Sequence, residues 1–315
     1  MYLSILAETI NVTGPIFILV LLGIALKRID FLDDHFIQIS SRLVFTVCLP
    51  VLLFTTIIGI DIEENFNLAL FNFSIVASCL TFILSWMVAV FLVKPRVDRG
   101  VFVQACFRSN LGVVGLALCA NAYGPEGLVL ASLLIASMTA IYNVLSVVVL
   151  SYYNVNQTVS GRQVILDIFR NPLIISILLA VFVALLKIPV PDIFISSGEY
   201  LGSLALPLAL LGTGAGMNLK ALRDSSFVTF LTVLMKTLAL PLMVTVLAWQ
   251  LGFSGVTLGV LFLLFVSPTA TASFIMVKSM GGNDGLAANL ITVTTLVGIL
   301  TSSLGLFLLR LSGLA

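Results

Sequence analysis

Two short polar segments lie inside otherwise apolar stretches of this sequence. The first, at 108–110, reads Arg-Ser-Asn, and the second, at 267–269, reads Ser-Pro-Thr. Proline removes a backbone N–H donor and kinks a helix, while an asparagine side chain competes with helical hydrogen bonds. Each segment therefore predicts a break in a helix. The N–H groups at the start of the helix beyond such a break attract anions.

Two basic residues are expected near the middle of a membrane, at the depth of these breaks. At 1.5 Å per helical residue, Arg108 lies about 11 Å into its apolar run, Lys236 about 14 Å into another and Pro268 about 17 Å into a third. All three are near one level of a hydrocarbon core about 30 Å thick. Charged groups there normally face a cavity or a partner, yet no Asp or Glu lies inside an apolar run. An anionic substrate would supply the missing charge. Alternatively, either side chain extends to the membrane surface or bonds backbone carbonyls.

Hydroxyl and amide side chains near these positions extend the candidate site. Ser109 and Thr269 offer hydroxyl donors, whereas Asn143 and Asn289 either line a cavity or bind neighbouring helices. The predicted substrate-binding residues are Arg108, Ser109, Asn110, Gly112, Asn143, Lys236, Ser267, Pro268, Thr269, Thr271 and Asn289. No catalytic residue and no metal ligand is predicted, because the cysteines lie in apolar runs without CxxC spacing and the single histidine lies in a loop.

The composition indicates that lipid surrounds these residues. The chain is 60% hydrophobic and 9% charged, whereas soluble domains carry about 25% charged residues. A net charge of +1 offers no basic field for nucleic acid. An enzyme would need a nucleophile–base pair, a metal cluster or an acid pair, and no apolar run contains a carboxylate. We therefore predict a polytopic membrane protein that is not an enzyme and binds no nucleic acid.

Ten apolar runs are long enough to cross a bilayer as helices. They cover residues 10–27, 38–59, 68–93, 101–121, 128–150, 172–188, 200–219, 227–249, 257–280 and 286–309. The polar stretch 151–171 divides them into five and five, and a surface helix is predicted to begin within it after Ser160. The prediction is an all-α membrane protein of ten transmembrane helices, with halves at 1–150 and 172–315 and a linker at 151–171.

The distribution of basic residues predicts the orientation of these spans. The loop regions after spans 1, 3, 5, 7 and 9 hold Lys27, Arg28, Lys94, Arg96, Arg99, Arg162, Arg170, Lys220, Arg223 and Lys278. The opposite side holds Lys187 and Arg310, and the loop after span 2 carries Asp61, Glu63 and Glu64. Basic loops stay in the cytoplasm. We therefore expect a cytoplasmic linker, both termini outside and a location in the bacterial inner membrane.

The two halves share a pattern that indicates an internal repeat. Leu-Pro at 49–50 recurs at 206–207, an offset of 157, and Ser109 recurs as Ser267 at an offset of 158. Because each repeat has five spans, an odd number, the second copy would insert upside down. Inverted repeats with broken helices at corresponding positions are typical of secondary transporters, whose substrate site lies near the bilayer midplane.

Several segments resemble the auxin efflux carrier family. They are LPVLLF at 49–54, LPLALLG at 206–212, the breaks SNLG and SPTAT, and NPL at 171–173. That family includes plant PIN-type carriers and bacterial permeases, some assigned to malonate or malate, and it is related to bile-acid sodium symporters. The resemblance covers nearly the whole chain. The short linker at 151–171 is similar to that of bacterial permeases.

The resemblance implies an architecture and a mechanism. It implies two inverted five-span repeats, a scaffold of spans 1, 2, 6 and 7, and a moving core of spans 3–5 and 8–10 in an elevator-like mechanism. It also implies that spans 4 and 9 cross as broken helices and that a substrate carboxylate binds near the crossing. Carried over by position, Asn110 meets Pro268 there. Plant members often have proline at both breaks, so Asn110 departs from that pattern.

The sequence thus predicts a secondary or facilitative carrier of small organic anions, either mono- or dicarboxylates. A sensor built on a carrier fold and an anion channel are the alternatives. Coupling to Na⁺, to H⁺ or to neither stays open. The lack of buried acids argues against one common proton mechanism, and oxygens near Asn110 and Thr269 could hold sodium. No cofactor is expected. The expected partners are the substrate, the bilayer and, as an open possibility, a second copy of the chain.

Overall fold

This structure is a computed structural model, and it describes residues 2–59, 67–153, 166, 169–217 and 226–315. Every regular element within these ranges is helical, which confirms the all-α class. The helices are α1 (Tyr2–Arg28), α2 (Asp34–Ile58), α3 (Leu68–Leu92), α4 (Arg96–Phe107), α5 (Leu111–Tyr153), α6 (Pro172–Leu185), α7 (Asp192–Ala215), α8 (Phe227–Gln250), α9 (Gly255–Val266), α10 (Ala272–Ser279) and α11 (Asp284–Leu311).

Some predictions concern residues outside these ranges. The acidic loop with Asp61, Glu63 and Glu64, the surface helix after Ser160 with Arg162, and the basic loop with Lys220 and Arg223 lie outside the described residues.

Seven of the described helices are long and apolar enough to cross a membrane, and they are α1, α2, α3, α5, α7, α8 and α11. Two further apolar helices, α6 and α9, are shorter. The ten predicted spans therefore do not appear as ten long helices. The physical reason is that predicted spans 4 and 9 are interrupted, so that each is divided between two helices, while span 6 corresponds to the short helix α6 of 14 residues.

Helix α5 contains the remainder of predicted span 4 and all of span 5. Its 43 residues would measure about 65 Å if they were straight, roughly twice the hydrocarbon core. It is not straight, because Gly124 has a φ of 58° and a ψ of −143°. This positive φ favours glycine, and Pro125 follows it. The bend divides α5 into two arms.

Wide π-helical turns occur in α2 at Val44–Cys48, in α5 at Leu111–Gly115 and in α8 at Met235–Ala239. The turns in α2 and α8 each lead into a Leu-Pro pair, at 49–50 and 240–241. Proline cannot donate a hydrogen bond to the carbonyl four residues before it, which accounts for the wider hydrogen-bonded turn there. Such turns often occur at functional sites. The turn in α8 contains Lys236.

The helices pack as two groups. Helix α1 lies along α7, where Gly23 and Gly214 let the two backbones approach so closely that a Cβ would collide with carbonyl oxygens. Helix α2 packs against α6 and α7, so these four helices form the first group. The second group contains α3, α4, α5, α8, α9, α10 and α11. Contacts between the groups run mainly from α1 and α2 to α5 and α11.

Large apolar side chains face outward on both groups. Ile18 of α1, Val76 of α3 and Leu300 of α11 are 65%, 63% and 71% exposed. An apolar surface of this extent would promote aggregation in water. In a bilayer the same side chains contact lipid, as the composition predicts.

Candidate functional site

The two polar segments singled out in the sequence interrupt their helices and meet. Helix α4 ends at Phe107 and α9 ends at Val266, and the chain continues in extended conformation after each. The Asn110 N–H donates to the Pro268 carbonyl at 2.8 Å, and the Ala270 N–H donates to the carbonyl of residue 108 at 3.0 Å. The pairing is antiparallel. We call this meeting point the crossing.

Hydroxyl groups of the second segment satisfy the backbone at the crossing. The Thr269 hydroxyl donates to the Ala105 carbonyl in the last turn of α4 at 2.7 Å, and its N–H donates to Thr294 Oγ1 of α11 at 3.2 Å. The Ser267 hydroxyl donates to the Leu263 carbonyl at 2.6 Å. Because broken helices leave carbonyls without partners, these bonds stabilise the break. Thr269 and Ser267 are thus engaged by the protein itself.

A cavity of about 210 Å³ lies beside the first segment. Of the predicted site residues, those that line it are Arg108, Ser109, Asn110, Gly112 and Thr271. The first residues of three helices, Leu111 of α5, Pro172 of α6 and Ala272 of α10, also line it. Helix N-termini carry partial positive charge. We call this space the arginine cavity.

The free donors come mainly from two of these helix N-termini. In α6 the first residue is a proline, which has no N–H, and the Asn171 side chain accepts from the N–H groups of Leu173 and Ile174 at 2.9 and 3.5 Å. The first N–H groups of α5 have no acceptor within their own helix. In α10 the N–H groups of Ser273 and Phe274 donate to the Ala270 and Thr271 carbonyls at 3.0 and 3.2 Å, which leaves the N–H of Ala272. The cavity therefore combines backbone donors from α5 and α10 with the guanidinium of Arg108.

The guanidinium of Arg108 is held on one side by the protein. Nη2 donates to Asn143 Oδ1 at 2.8 Å. Nη1 donates to Ser146 Oγ at 3.1 Å, to the Tyr142 carbonyl at 3.4 Å and to Met276 Sδ at 3.2 Å. A guanidinium has five N–H donors, and these bonds orient it without supplying a negative charge.

Lys236 occupies a different position. It is 1% exposed, and Nζ donates to the Phe265 carbonyl at 3.2 Å and to the Ser109 hydroxyl. Phe265 lies in the last turn of α9, where the negative end of the helix dipole favours a cation. Lys236 is not among the described residues that line the arginine cavity. Its ammonium instead bonds Ser109, and Ser109 is the residue that lines the cavity.

No carboxylate compensates either cation within the described part of the chain. The ion pair found there joins Lys27 to Asp34 at 2.6 Å, at the surface between α1 and α2. No Asp or Glu occurs among the described lining residues of the arginine cavity. The residues described also contain no group of three His, Cys, Asp or Glu side chains that could hold a metal ion. The buried charge at the crossing is therefore positive.

The remaining predicted residues fall into two sets. Asn143 contacts the guanidinium of Arg108 but is not among the described residues that line the cavity. Asn289 is buried in α11, where its Oδ1 accepts from the Thr229 hydroxyl of α8 at 3.4 Å, away from the crossing pair. Pro268 packs near Gly298 of α11. The structure thus joins Asn143 to Arg108 and Asn289 to α8, whereas Pro268 stays at the crossing through its carbonyl.

Two polar atoms of the cavity wall are buried without a hydrogen-bond partner among the described residues, and they are Nδ2 of Asn110 and Oη of Tyr142. Asn110 is 5% exposed. An unpaired buried donor costs about 1–3 kcal/mol, so native proteins keep few of them. Asn110 lines the cavity, so a rotation of its side chain that turned Nδ2 towards a ligand accepting a hydrogen bond would remove this cost.

Apart from chain neighbours of the predicted residues, sequence reasoning missed six residues of the cavity wall, and they are Phe45, Thr139, Tyr142, Asn171, Pro172 and Leu173. Each comes from a helix or helix start far from residues 108 and 270 in the chain. Only Asn171 had a local signal, since Asn before Pro is a typical helix cap.

A second and larger space adjoins the arginine cavity. It has a volume of about 480 Å³ and is lined by α2 and α7 on one side and by α10 and α11 on the other. Phe45 and Thr271 line both spaces. The crevice reaches Ile37 near the start of α2, Met217 after α7 and Asp284 at the start of α11. It separates helices of the first group from helices of the second.

Comparison with known proteins gives matches along nearly the whole chain. A family model described as "membrane transport protein" matches residues 11–305. An uncharacterized transporter of Methanothermobacter thermautotrophicus is 26% identical over 290 residues, which cover 91% of this chain and 93% of that protein. An uncharacterized transporter of Methanocaldococcus jannaschii is 22% identical over 298 residues, with coverage of 92% and 95%. The family match includes both interrupted helices.

Proposed function

This chain belongs to the membrane transport protein family, the auxin efflux carrier resemblance is confirmed, and we propose that within this family it carries small organic anions. The transport function follows from the family. The substrate class is our inference from the arginine cavity.

The observation that supports this substrate class is the arrangement around Arg108. Arg108 lines a cavity of about 210 Å³ together with the N-termini of α5 and α10. Uncompensated charge inside a membrane is costly, and its partner is normally another charge or the substrate. Arginine forms paired hydrogen bonds with a carboxylate. A carboxylate in the cavity would therefore satisfy Arg108, the backbone donors and Asn110 Nδ2 together.

The proposal includes ten spans in two inverted repeats. When α4 and the first arm of α5 count as one broken span, and α9 and α10 as another, the described helices give ten segments. The two broken spans pair through an antiparallel bridge between Ser109 and Thr269, which lie in the two segments that the repeat matches. Such paired interruptions are typical of secondary transporters.

An elevator-like movement is consistent with the position of the cavity. The wall contains Phe45 of α2 and Leu173 of α6 from the first group of helices, whereas Arg108, Gly112 and Thr271 belong to the second group. Movement of the second group against the first would thus change the access to a bound substrate. We assign α1, α2, α6 and α7 to a scaffold and the remaining helices to a moving core.

The orientation that we propose places both termini outside the inner membrane. The described basic residues Lys27, Arg28, Lys94 and Lys278 lie at helix ends on the proposed cytoplasmic side. The mouth of the 480 Å³ crevice at Ile37, Met217 and Asp284 is next to these ends. In this orientation the structure represents a state open to the cytoplasm.

The substrate class can be tested with purified protein and defined carboxylates. Acetate, malonate, malate and benzoate should be screened by thermal shift, and those that stabilise the protein tested for counterflow in proteoliposomes. We expect Arg108→Gln to lose about 100-fold in affinity, because a charged hydrogen-bond pair contributes about 1.5–3 kcal/mol.

The matched control is Arg310→Gln. Arg310 also bonds a backbone carbonyl, that of Ala122 at 3.2 Å, but it lies at the far end of α11. Its loss should leave anion affinity unchanged. Wild-type affinity and flux in Arg108→Gln would contradict the proposed substrate site.

A further inference from the structure

Ser109 connects the arginine cavity to the second buried cation. It lines the cavity, and its hydroxyl accepts a hydrogen bond from Nζ of Lys236. A ligand atom bonded to Ser109 would lie two hydrogen bonds from the ammonium, about 5 Å away. Charges at that distance interact strongly when they are buried. The occupancy of the cavity and the charge of Lys236 are therefore physically linked.

The surroundings of Lys236 contain few other groups that could exchange a proton. The wide turn of α8 packs against α4, α9 and α11. From α4, the buried thiol of Cys106 is close enough to the ammonium to interact with it electrostatically, and Arg108 follows the end of that helix. Helix α9 contains no titratable side chain. In α11 the charged residues Asp284 and Arg310 lie near its two ends.

We propose that Lys236 binds the proton that travels with the substrate anion, so that the carrier is an anion–proton symporter; this inference rests on the proposed function. A carboxylate in the arginine cavity stabilises the ammonium form of Lys236. By thermodynamic reciprocity, the ammonium form strengthens anion binding by the same factor. The proton and the anion therefore bind together and are released together.

The difference between arginine and lysine assigns the proton to Lys236. An arginine side chain keeps its charge in proteins, whereas lysine can exist as a neutral amine when it is buried. Arg108 therefore supplies a permanent charge that selects anions, and Lys236 supplies the charge that changes. This provides a proton site although no carboxylate occurs in the described lining of the cavity.

The proton transfer balances. On the loading side, water in the cavity loses one proton, and Nζ of Lys236 gains one. Ser109 can relay it, because a hydroxyl both accepts and donates hydrogen bonds. Nζ of Lys236 lies within hydrogen-bond distance of the Ser109 hydroxyl and the Phe265 carbonyl, so the ammonium of the loaded state would donate to both. On the other side the anion leaves, and the proton returns to water.

The test measures the protons taken up when an anion binds. Acetate, malonate and benzoate are titrated into the protein in nanodiscs by calorimetry, between pH 7 and 9, in two buffers of different ionisation enthalpy. These probes are ionised there. We expect up to one proton to be taken up per anion bound. The affinity should weaken by up to about 100-fold as pH rises, which is the coupling expected for charges at this distance.

Two variants identify the group that takes up the proton. Lys236→Arg keeps a permanent charge, so it should bind the same probe without proton uptake and with an affinity that does not depend on pH. Cys106→Ala removes the other nearby titratable group and should retain proton uptake. Loss of uptake in Cys106→Ala, or its persistence in Lys236→Arg, would overturn the assignment.

Measurements on the wild type alone keep the inference open to refutation if Lys236→Arg does not fold. If a probe binds the wild type with no proton uptake at any pH, the symport inference is wrong and the proposed anion site stands. If no probe binds at all, the proposed function fails, and this inference fails with it.

Discussion

The two interrupted segments form one crossing but face different surroundings. The first contributes Arg108 to Asn110 to the wall of the arginine cavity. The second is enclosed by protein, since Thr269 bonds both α4 and α11 and Ser267 bonds its own helix. The first segment itself can thus contact a ligand, whereas the second supports the crossing, and only the residues that follow it, Ala270 to Ala272, line the cavity. The symmetry of a sequence pattern does not imply equal roles.

The two buried cations differ in the same way. Arg108 is fixed by neutral groups on one side and faces a cavity on the other. Lys236 bonds the Phe265 carbonyl in the last turn of α9 and the hydroxyl of Ser109, a residue of the cavity wall. Both side chains were expected near the middle of the membrane, and both were expected to bind the substrate. Position along a span gives depth, whereas the direction of a side chain depends on the turn that holds it.

The largest stability effect should come from the supporting segment. Thr269→Val removes the hydroxyl that donates to the Ala105 carbonyl and leaves that buried acceptor unpaired. We expect it to lower the free energy of unfolding by about 1–3 kcal/mol. Thermal unfolding in detergent measures this. The affinity for a bound carboxylate should not change once the protein is folded.

Thr301→Val is the control for this variant. The Thr301 hydroxyl bonds carbonyls of its own helix at 3.3 and 3.4 Å, with no other segment involved. The substitution should lower the free energy of unfolding by less than about 0.5 kcal/mol, as for a substitution away from special contacts. Equal losses in the two variants would show that Thr269 does not support the crossing.

The opposite pattern is expected for Asn110. Because its Nδ2 has no partner among the described residues, Asn110→Ala should leave the free energy of unfolding unchanged or slightly higher. It should reduce carboxylate affinity by about tenfold, the loss of roughly one hydrogen bond to a charged group. Binding calorimetry beside thermal unfolding separates the two effects. A large loss of stability with unchanged affinity would show that Asn110 supports the crossing instead.

The smallest effect is expected at the border between the two spaces. Thr271 lines both the arginine cavity and the crevice. Thr271→Ala should weaken carboxylate binding about threefold, in the range of a neutral hydrogen bond, and Thr271→Ser should restore it. Equal binding by both variants would remove Thr271 from the site.

The sequence predicted the features that depend on local chemistry. Pro268 and Asn110 indicated both breaks because each residue disturbs a helix by itself. Apolar composition indicated the membrane, and the family resemblance is confirmed by the match to residues 11–305. These signals need no knowledge of which helices are neighbours.

Features that depend on long-range packing could not be predicted. Phe45 and Thr139 reach the cavity only because α2 and the second arm of α5 pack beside the crossing. Lys236 meets the Phe265 carbonyl through a wide turn at Met235–Ala239, which hydropathy does not reveal. The lengths of the helices also differ from the ten predicted spans, because hydropathy continues across a break whereas helical hydrogen bonds do not.

The central claim is that an anion binds at the first segment and is supported from behind by the second. The most direct measurement is a crystal structure with 4-bromobenzoate, in which anomalous scattering locates the bromine. We predict a peak in the arginine cavity, with the carboxylate bonded to Arg108 and Asn110 and with Thr269 unchanged. A peak elsewhere, such as in the 480 Å³ crevice, with the guanidinium of Arg108 bonded to protein alone, would contradict the account.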